Sequence, residues 1–361
     1  MKRSFKLFLA VCIVPLAMLA NNNPKFKGKY TKTKTLNKEY SVNSEAELEV
    51  SNSYGNIDIV TWNESRTVIE VVITTNGDNE EKVQEKLNKI DVDFSGTPSK
   101  VTAKTIFKDR KGNSWSWWGK NKNKVKMQIN YTIKLPVTNS VDLSNDYGAI
   151  NINNLDGQAR ISCDYGQINI GSLNASNNDL SFDYTKNSTI GYMKSGEISA
   201  DYSGFTLDKT DGLRLNADYS RSDIGEVGEL NYSCDYGKLI VGDAGKIIGQ
   251  GDYIPLKVST LSGDLDVSSD YGSITVDRIN NGDITIESDY AGIKLGYASS
   301  YNFDFVLNLE YASLKGGDDL EIMKQIKDHS DKYYSGYHGS QNSGNKINID
   351  SEYGSVTLYK N

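Results

Sequence analysis

Apolar and polar residues alternate with a period of two along most of the chain beyond residue 40. One segment places Leu213, Leu215 and Ala217 at every second position. Another segment places Ile274 and Val276 in the same way. A period of two residues is typical of strands that bury one face. The pattern therefore predicts an all-β fold in which each strand contributes one row of side chains to the core.

A short motif, an acidic residue followed by tyrosine, divides the alternating region into repeats. Its tyrosines are Tyr147, Tyr165, Tyr184, Tyr202, Tyr219, Tyr236, Tyr253, Tyr271, Tyr290, Tyr311 and Tyr353. Successive tyrosines are 17 to 21 residues apart up to Tyr311, and the last interval is 42 residues. Turn signals such as Asp156-Gly157 and Asn281-Gly282 close several repeats. Each repeat is therefore predicted to be a strand, a corner, a second strand and a turn.

A repeat of this length cannot bury its own apolar face, so the repeats are expected to stack on one another. Stacking places like side chains in register, about 4.8 Å apart. Residues 141–361 are therefore predicted to form a β-solenoid, a single-chain β-helix, of about ten coils of about 18 residues. The 42-residue interval predicts an inserted loop near 318–345, with a short helix over 320–326. A last coil is expected to cap the stack.

Residues 21–140 are predicted to form a looser β-rich region with one short helix. Val83, Leu87 and Ile90 recur at helical spacing, and Asp78 is the expected N-cap. Two long predicted strands further along enclose a segment rich in Trp and Lys, which is expected to be a hairpin loop.

Residues 1–20 are predicted to be a signal peptide. Lys2, Arg3 and Lys6 precede an apolar run, Leu7 to Leu19, that is too short to span a bilayer as a helix. No later segment holds 18 consecutive apolar residues. We therefore expect the chain to be exported and to have no transmembrane span once the signal is removed.

Two cysteines follow the predicted signal peptide, Cys163 and Cys234. Export would permit a disulfide. The repeat, however, places the two residues four coils apart, or about 19 Å at ~4.8 Å per coil. A disulfide needs Cα atoms within about 7 Å of each other. We therefore predict two free thiols that face the core.

Charge is divided unevenly between the two predicted regions. Residues 21–140 contain 20 Lys and Arg against 14 Asp and Glu, whereas residues 141–361 contain 17 against 33. Such asymmetry indicates two surfaces of different character. The acidic repeat region argues against nucleic acid as a partner.

The sequence resembles the DUF4097 family of adhesin-like bacterial β-solenoids. The resemblance is carried by Tyr54-Gly55-Asn56-Ile57-Asp58-Ile59, the helical pattern near 80–90 and the downstream Asp-Tyr-Gly-x-Ile-x-Ile units. Several units depart from the motif, since Thr185, Ser203 and Ser220 replace the glycine after tyrosine. The resemblance implies an exported, adhesin-like protein of the cell envelope, in the periplasm or on the cell surface. It supplies no catalytic residues to transfer.

The loop rich in Trp and Lys is the first candidate binding site. Its residues are Trp115, Trp117, Trp118, Lys108, Arg110, Lys111 and Lys120. Aromatic and basic side chains on a hairpin tip suit an anionic envelope glycan or a lipid surface, and an envelope protein is a further expected partner. The alternative is that one or two of the Trp side chains fold back onto the stacked strands.

The repeat motif itself creates two rows of candidate residues. The aspartates preceding the tyrosines are expected to hold each corner by accepting a backbone N–H two residues on. The alternative for these aspartates is Ca²⁺ binding, because Ca²⁺ takes clustered carboxylate oxygens. The tyrosines are expected to pack internally with their hydroxyls at the rim. The alternative for the tyrosines is a flat aromatic face for sugars.

Catalytic motifs have little support in the sequence. The two histidines, His329 and His338, lie in the predicted insertion, and no Gly-x-Ser-x-Gly or Walker motif occurs. We therefore predict a non-catalytic structural or interaction protein without a cofactor. The alternatives are a polysaccharide-acting enzyme on a β-helix scaffold and a scaffold stabilised by Ca²⁺.

Overall fold

The computed structural model describes residues 26–108 and 125–361. These residues form 27 strands of one hydrogen-bonded sheet and one α-helix. The predicted all-β class is therefore confirmed. The first elements are β1 (Tyr30–Ser41), β2 (Glu47–Ser53), β3 (Ile57–Trp62), β4 (Arg66–Gly77), α1 (Glu80–Lys89), β5 (Ile90–Gly96), β6 (Lys100–Phe107) and β7 (Lys126–Pro136).

The repeat region supplies the remaining twenty strands. Its first part contains β8 (Ser140–Asp146), β9 (Ala149–Leu155), β10 (Ala159–Asp164), β11 (Gln167–Leu173), β12 (Asn178–Ser181), β13 (Ser188–Ser199), β14 (Gly204–Asn216), β15 (Arg221–Ser233), β16 (Lys238–Gln250), β17 (Pro255–Leu261), β18 (Leu265–Asp270), β19 (Ser273–Ile279), β20 (Ile284–Asp289) and β21 (Gly292–Tyr297). Its last part contains β22 (Phe303–Glu310), β23 (Leu314–Gly316), β24 (Glu321–Asp328), β25 (Asp331–His338), β26 (Lys346–Glu352) and β27 (Val356–Lys360).

Neighbouring repeats pair in parallel and place like side chains over like. Leu213 of β14 lies opposite Leu230 of β15, which in turn lies opposite Ile247 of β16. Most buried positions of these strands are apolar and belong to one continuous core along the stack, with Thr210 and Ser222 as buried polar exceptions. The alternation in the sequence therefore sets both the buried face and the register.

The N-terminal end adds antiparallel strands to the parallel stack. β4 lies between β1 and β7 in antiparallel pairing, and β5 pairs antiparallel with β6. The predicted helix is confirmed as α1, which packs mainly against β1 and β4. Asn79 is the N-cap, because its side chain accepts the N–H of Lys82. The expected N-cap, Asp78, is wrong by one residue, since its carboxylate accepts the N–H of Lys29 instead.

The last repeat lies inside the stack. β26 lies between β20 and β22, with Ile349 opposite Ile286 on one side and Leu307 on the other. β27 lies between β21 and β23 in the same way. The prediction that this repeat caps the stack is therefore wrong. Its apolar row is covered on both sides, which buries Ile347 and Ile349 almost completely.

The insertion near 318–345 contains an antiparallel hairpin. β24 pairs with β25, and β25 pairs antiparallel with β22. The short helix predicted over 320–326 is therefore wrong. The spacing of Leu320, Ile322, Met323 and Ile326 fits a helix, but pairing with β25 fixes this backbone as a strand.

Both cysteines are buried and free, as predicted. Burial raises the pKa of the Cys163 thiol to about 11 and that of Cys234 to about 12. The thiols are therefore neutral at ordinary pH, and they behave as small core residues.

The predicted signal peptide, residues 1–20, lies outside the described residues. So does the segment 109–124, which contains all of the candidate Trp and Lys loop except Lys108. The single helix of the described chain has ten residues, fewer than a helix needs to cross a membrane.

Candidate functional site

The tyrosines of the repeat motif form one continuous row, which we call the tyrosine ladder. In spatial order the ladder comprises Tyr54, Tyr147, Tyr165, Tyr184, Tyr202, Tyr219, Tyr236, Tyr253, Tyr271, Tyr290, Tyr353 and Tyr311. Tyr353 lies between Tyr290 and Tyr311 because β26 is inserted between β20 and β22. The inserted strand thus keeps the row unbroken.

Neighbouring rings of the ladder stack face to face. Their centroids are 4.6 to 5.2 Å apart, and the planes of adjacent rings differ by 1° to 10°. This spacing is close to the ~4.8 Å that separates adjacent strands of a sheet. The stacked strands therefore impose the spacing of the rings.

Every ladder tyrosine has a left-handed backbone conformation, with φ between 50° and 67°. Glycine adopts this region readily, whereas a bulky residue there is uncommon. Each corner is held by its neighbour, since the N–H of Tyr219 donates to the carbonyl of Asp235 at 2.9 Å. The same bond joins Tyr147 to Asp164 and Tyr290 to Glu352.

The left-handed corner turns the tyrosine side chains outward. Between 38% and 59% of each ladder residue is exposed. The expectation that these tyrosines pack internally, on the same face as Ile and Leu, is therefore wrong. A positive φ interrupts the alternation of an extended strand, so the parity of the flanking residues no longer applies at the corner.

The solvent meets the edges and hydroxyls of the ladder rings, because each interior ring has both faces covered by its neighbours. Beyond Tyr54, the ladder hydroxyls make no hydrogen bond to the described part of the chain. Burial against neighbouring groups raises the pKa of Tyr165, Tyr202 and Tyr353, and the adjacent tyrosines and carboxylates raise it further. The hydroxyls of these three tyrosines are therefore protonated at neutral pH and available as hydrogen-bond donors.

An acidic row runs beside the ladder. Its members are Asp146, Asp164, Asp183, Asp201, Asp218, Asp235, Asp252, Asp270, Asp289, Glu352 and Glu310. Seven bonds of 2.8 to 3.4 Å link the eight aspartates from Asp164 to Asp289. In each bond, Oδ1 of one aspartate accepts the backbone N–H of the next aspartate in the row. The prediction that each aspartate accepts the backbone N–H two residues further along the chain is therefore wrong, because the donor is the aspartate of the next repeat. The carboxylates join repeats, where a bond within one corner was expected.

Repulsion between like charges in the acidic row raises the pKa of carboxyl groups near its two ends. The charge of Asp289 is the largest cause that raises the pKa of Glu352. Burial, followed by the charge of Asp164, raises the pKa of Asp146. An N–H donated to a carboxylate offsets part of the repulsion between neighbouring like charges, and seven of the aspartates accept one.

The histidines and possible metal ligands are the remaining candidate residues. Among the described residues, no group of three or more His, Cys, Asp or Glu side chains is arranged to hold a metal ion. His338 is buried and its Nδ1 lies 2.8 Å from the carbonyl of Tyr301. His329 is exposed beside Asp328.

Lys108 is the one described member of the Trp and Lys loop. Its Nζ lies 2.7 Å from the carboxylate of Asp91. This bond is the largest cause that lowers the pKa of Asp91. Lys108 thus makes an ion pair at the base of the loop. Trp115, Trp117, Trp118, Arg110, Lys111 and Lys120 lie outside the described residues.

No known family model matches the chain, and no curated protein matches it either. The resemblance to the DUF4097 family therefore stays an expectation. Among solved structures, a candidate cell adhesion protein from Clostridium sporogenes aligns with 12% identity over 91% of this chain and 100% of its own, with a TM-score of 0.19. A candidate adhesin from Parabacteroides distasonis aligns with 13% identity over 91% and 97%, with a TM-score of 0.32. A candidate adhesin from Bacteroides fragilis aligns with 12% identity over 91% and 97%, with a TM-score of 0.21.

Proposed function

We propose that the chain is an exported, adhesin-like and non-catalytic interaction protein of a bacterial cell envelope, in the periplasm or on the cell surface. In this proposal the parallel stack is a single-chain β-solenoid of about ten coils. The solenoid presents the tyrosine ladder to an envelope glycan, a lipid surface or an envelope protein. The observation that carries the proposal is the unbroken row of half-exposed tyrosines in a backbone conformation suited to glycine.

Stability alone does not explain why tyrosine occupies these corners. A non-glycine residue in a sparsely populated backbone region costs about 1–3 kcal/mol. A stacked aromatic pair contributes about 0.5–1.5 kcal/mol beyond the area that it buries, and each repeat adds one such pair. The two effects are similar in size, so glycine would serve the fold about as well. A contact made by the exposed ring edges and hydroxyls accounts for the presence of tyrosine at each of these corners.

The test is cosedimentation of the chain from residue 21 onward with bacterial envelope fragments. Tyr202, Tyr219, Tyr236 and Tyr253 are replaced together by glycine, which suits the left-handed corner. We expect the unmodified chain to sediment with the fragments and the variant to lose at least about tenfold in affinity. Tyr192→Phe is the matched control, because Tyr192 lies outside the ladder and its hydroxyl bonds to Asp211. Equal binding by the glycine variant, with an unchanged circular dichroism spectrum, would remove the ladder from the contact.

The Trp and Lys loop is proposed as a second contact, made with anionic components of the envelope. Its charge is opposite to that of the repeat region, so it suits anionic envelope components. In the same assay, Trp117→Ala with Trp118→Ala is expected to weaken binding and leave the melting temperature unchanged. Undiminished binding by this variant would limit the contact to the ladder.

A further inference from the structure

The repeat distance of the tyrosine ladder restricts the kind of partner that fits along it. Twelve hydroxyl-bearing rings follow one another at 4.6 to 5.2 Å over a length of about 50 Å. A small ligand contacts only one or two of these groups. A polymer with a matching repeat contacts many of them at once and gains affinity with each added unit.

Extended polypeptides do not have this repeat. The side chains on one face of a strand recur at roughly 6.8 Å, and those of a polyproline II helix recur at roughly 9 Å. A linear polysaccharide of linked pyranose rings advances by about one ladder step per sugar. In a β-1,4-linked chain successive rings are turned to opposite sides, so like groups on one side recur at every second sugar and match every second tyrosine. The spacing therefore favours a glycan chain lying along the ladder, with one sugar beside each tyrosine.

The charge beside the ladder selects among glycans. Eleven carboxylates form the acidic row. Two positions after a ladder tyrosine, the basic residues are Lys186, Arg221 and Lys238, and Arg221 is paired with Asp223. Lys126 lies near Tyr54 and Tyr147 at one end of the ladder. The balance is strongly negative, so it repels anionic glycans and attracts amines.

Some carboxylates of the acidic row also have one oxygen that makes no hydrogen bond within the described chain. In Asp201, Asp218 and Asp235, Oδ1 accepts the N–H of the next repeat. Within the described chain, Oδ2 of these residues has no hydrogen bond or ion pair. Each repeat therefore presents one carboxylate oxygen and one tyrosine hydroxyl, which suit an ammonium group and a sugar hydroxyl.

We propose that the tyrosine ladder and the acidic row bind a linear polysaccharide that carries free amino groups. This inference rests on the proposed function and names the chemistry of its partner. Recognition is by hydrogen bonds and charge along the row. Stacking of sugars on aromatic faces is not the mechanism, because neighbouring rings cover the faces of the interior tyrosines.

The test measures binding of β-1,4-linked glucosamine oligomers of two, four and eight units by calorimetry. We expect the affinity to rise at least about tenfold from two units to eight, and to fall with added salt. N-acetylated oligomers of equal length, which lack the charge, are expected to bind at least about tenfold more weakly. An oligolysine peptide of equal charge is the control, because it tests attraction by charge alone in a polymer whose repeat does not match the ladder spacing.

Two variants test the contribution of the tyrosine hydroxyls and that of the carboxylate charges separately. In the first, Tyr202, Tyr219, Tyr236 and Tyr253 become Phe, which keeps ring stacking and removes four hydroxyls. In the second, Asp201, Asp218, Asp235 and Asp252 become Asn, whose Oδ1 still accepts the backbone N–H. Each is expected to lower the affinity for the eight-unit glucosamine oligomer at least about tenfold, with the melting temperature retained. Tyr192→Phe is again the control and is expected to bind normally.

Affinity independent of oligomer length, equal binding of oligolysine, or full binding by the Phe variant would overturn the inference. The failure of this inference is distinguishable from failure of the proposed function. If the glycine variant loses envelope fragments while glucosamine oligomers do not bind, the ladder is a contact surface for a different partner. If the glycine variant keeps the fragments, the ladder is not the contact surface, so the role of the ladder in the proposed function and this inference both fall.

Discussion

The ladder tyrosines combine an unfavourable backbone conformation with favourable contacts between rings. At Tyr219, φ is 53° and the ring stacks on Tyr202 and Tyr236. Phenylalanine keeps both features, whereas valine loses the ring and is branched at Cβ, which makes this backbone region costly. The hydroxyl of Tyr219 is thus dispensable for the fold, whereas a residue branched at Cβ is unfavourable in its place.

We predict that Tyr219→Val lowers the free energy of unfolding by about 2 kcal/mol, while Tyr219→Phe changes it by less than about 0.5 kcal/mol. Urea denaturation of the two variants beside the unmodified protein measures the difference. If valine is tolerated as well as phenylalanine, the corner does not impose the strain that its φ indicates.

Glycine at one interior position makes room for a large neighbour. A Cβ on Gly249 would lie 2.3 Å from Cδ1 of Tyr232 and 2.5 Å from its carbonyl oxygen. Tyr232 is 5% exposed and fills the space that Gly249 leaves in the next repeat.

We predict that Gly249→Ala destabilises the protein by about 1–3 kcal/mol through overpacking. Gly292→Ala is the control for thermal unfolding, because a Cβ there meets no atom within 4 Å. Equal melting temperatures for the two variants would refute this packing.

The buried thiols give the protein a pH dependence of known sign. Burial raises the pKa of Cys234 to about 12, against roughly 8.5 in an unfolded chain. The unfolded chain therefore loses its thiol proton first, so the stabilisation is complete below about pH 8.5 and is lost as the pH rises toward 12. We predict that the melting temperature falls less between about pH 8 and about pH 10.5 in Cys234→Ala than in the unmodified protein.

Ser269→Ala is the matched control for this pH series, because Ser269 occupies the same interior column two repeats on and does not ionise. Its melting temperature is expected to fall with pH as steeply as that of the unmodified protein. If the melting temperature falls less steeply with pH in both variants, or in neither, the pH dependence does not come from the thiol of Cys234.

At the scale of strands, the alternation predicts pairing only where neighbours in sequence are also neighbours in space. Leu213, Leu230 and Ile247 follow this rule, and their register could be predicted from the repeat. β26 does not follow it, because the pattern around Ile349 fits any gap in the stack equally well. The choice between the end of the stack and the gap beside β20 depends on long-range pairing that a local pattern does not contain.

The position of β26 predicts slow hydrogen exchange close to the C-terminal end of the sequence. Its N–H groups pair with β20 and β22, whereas β24 pairs only with β25 among the described strands. We predict that amides of Ile347–Ser351 exchange as slowly as those of β20, and that those of β24 exchange much faster. Hydrogen exchange followed by mass spectrometry gives both rates. Rapid exchange over 346–352 would place this strand at the frayed end of the stack.

For the candidate site, the sequence predicts the row and its period but not the direction of its side chains. The motif places one tyrosine in each repeat, so a column at strand spacing follows directly. The outward turn at Tyr165 or Tyr271 depends on φ, which the surrounding strands determine.

The frequent glycine after tyrosine marks a corner, yet the residue with positive φ is the tyrosine itself. At Gly166, a Cβ would lie 2.0 Å from the carbonyl of Gly148, so glycine there allows close stacking of repeats.

At the scale of the whole molecule, the account depends on repeats that stack in register along one axis. Parallel pairing carries the position of Gln167 through four repeats to Lys238, and through two more to Ser273. The tyrosine ladder and the acidic row are straight only if each of these steps adds the same distance. A uniform rise per repeat is therefore the property on which both the fold and the proposed contact surface rest.

Spin-label distances measure this rise directly. Labels are attached at Gln167→Cys with Lys238→Cys, and at Gln167→Cys with Ser273→Cys, in a chain with Cys163→Ala and Cys234→Ala. We predict narrow distributions whose means differ by about 10 Å, since two repeats add ~4.8 Å each. Equal means for the two pairs, or broad distributions without a defined difference, would contradict the stacking in register.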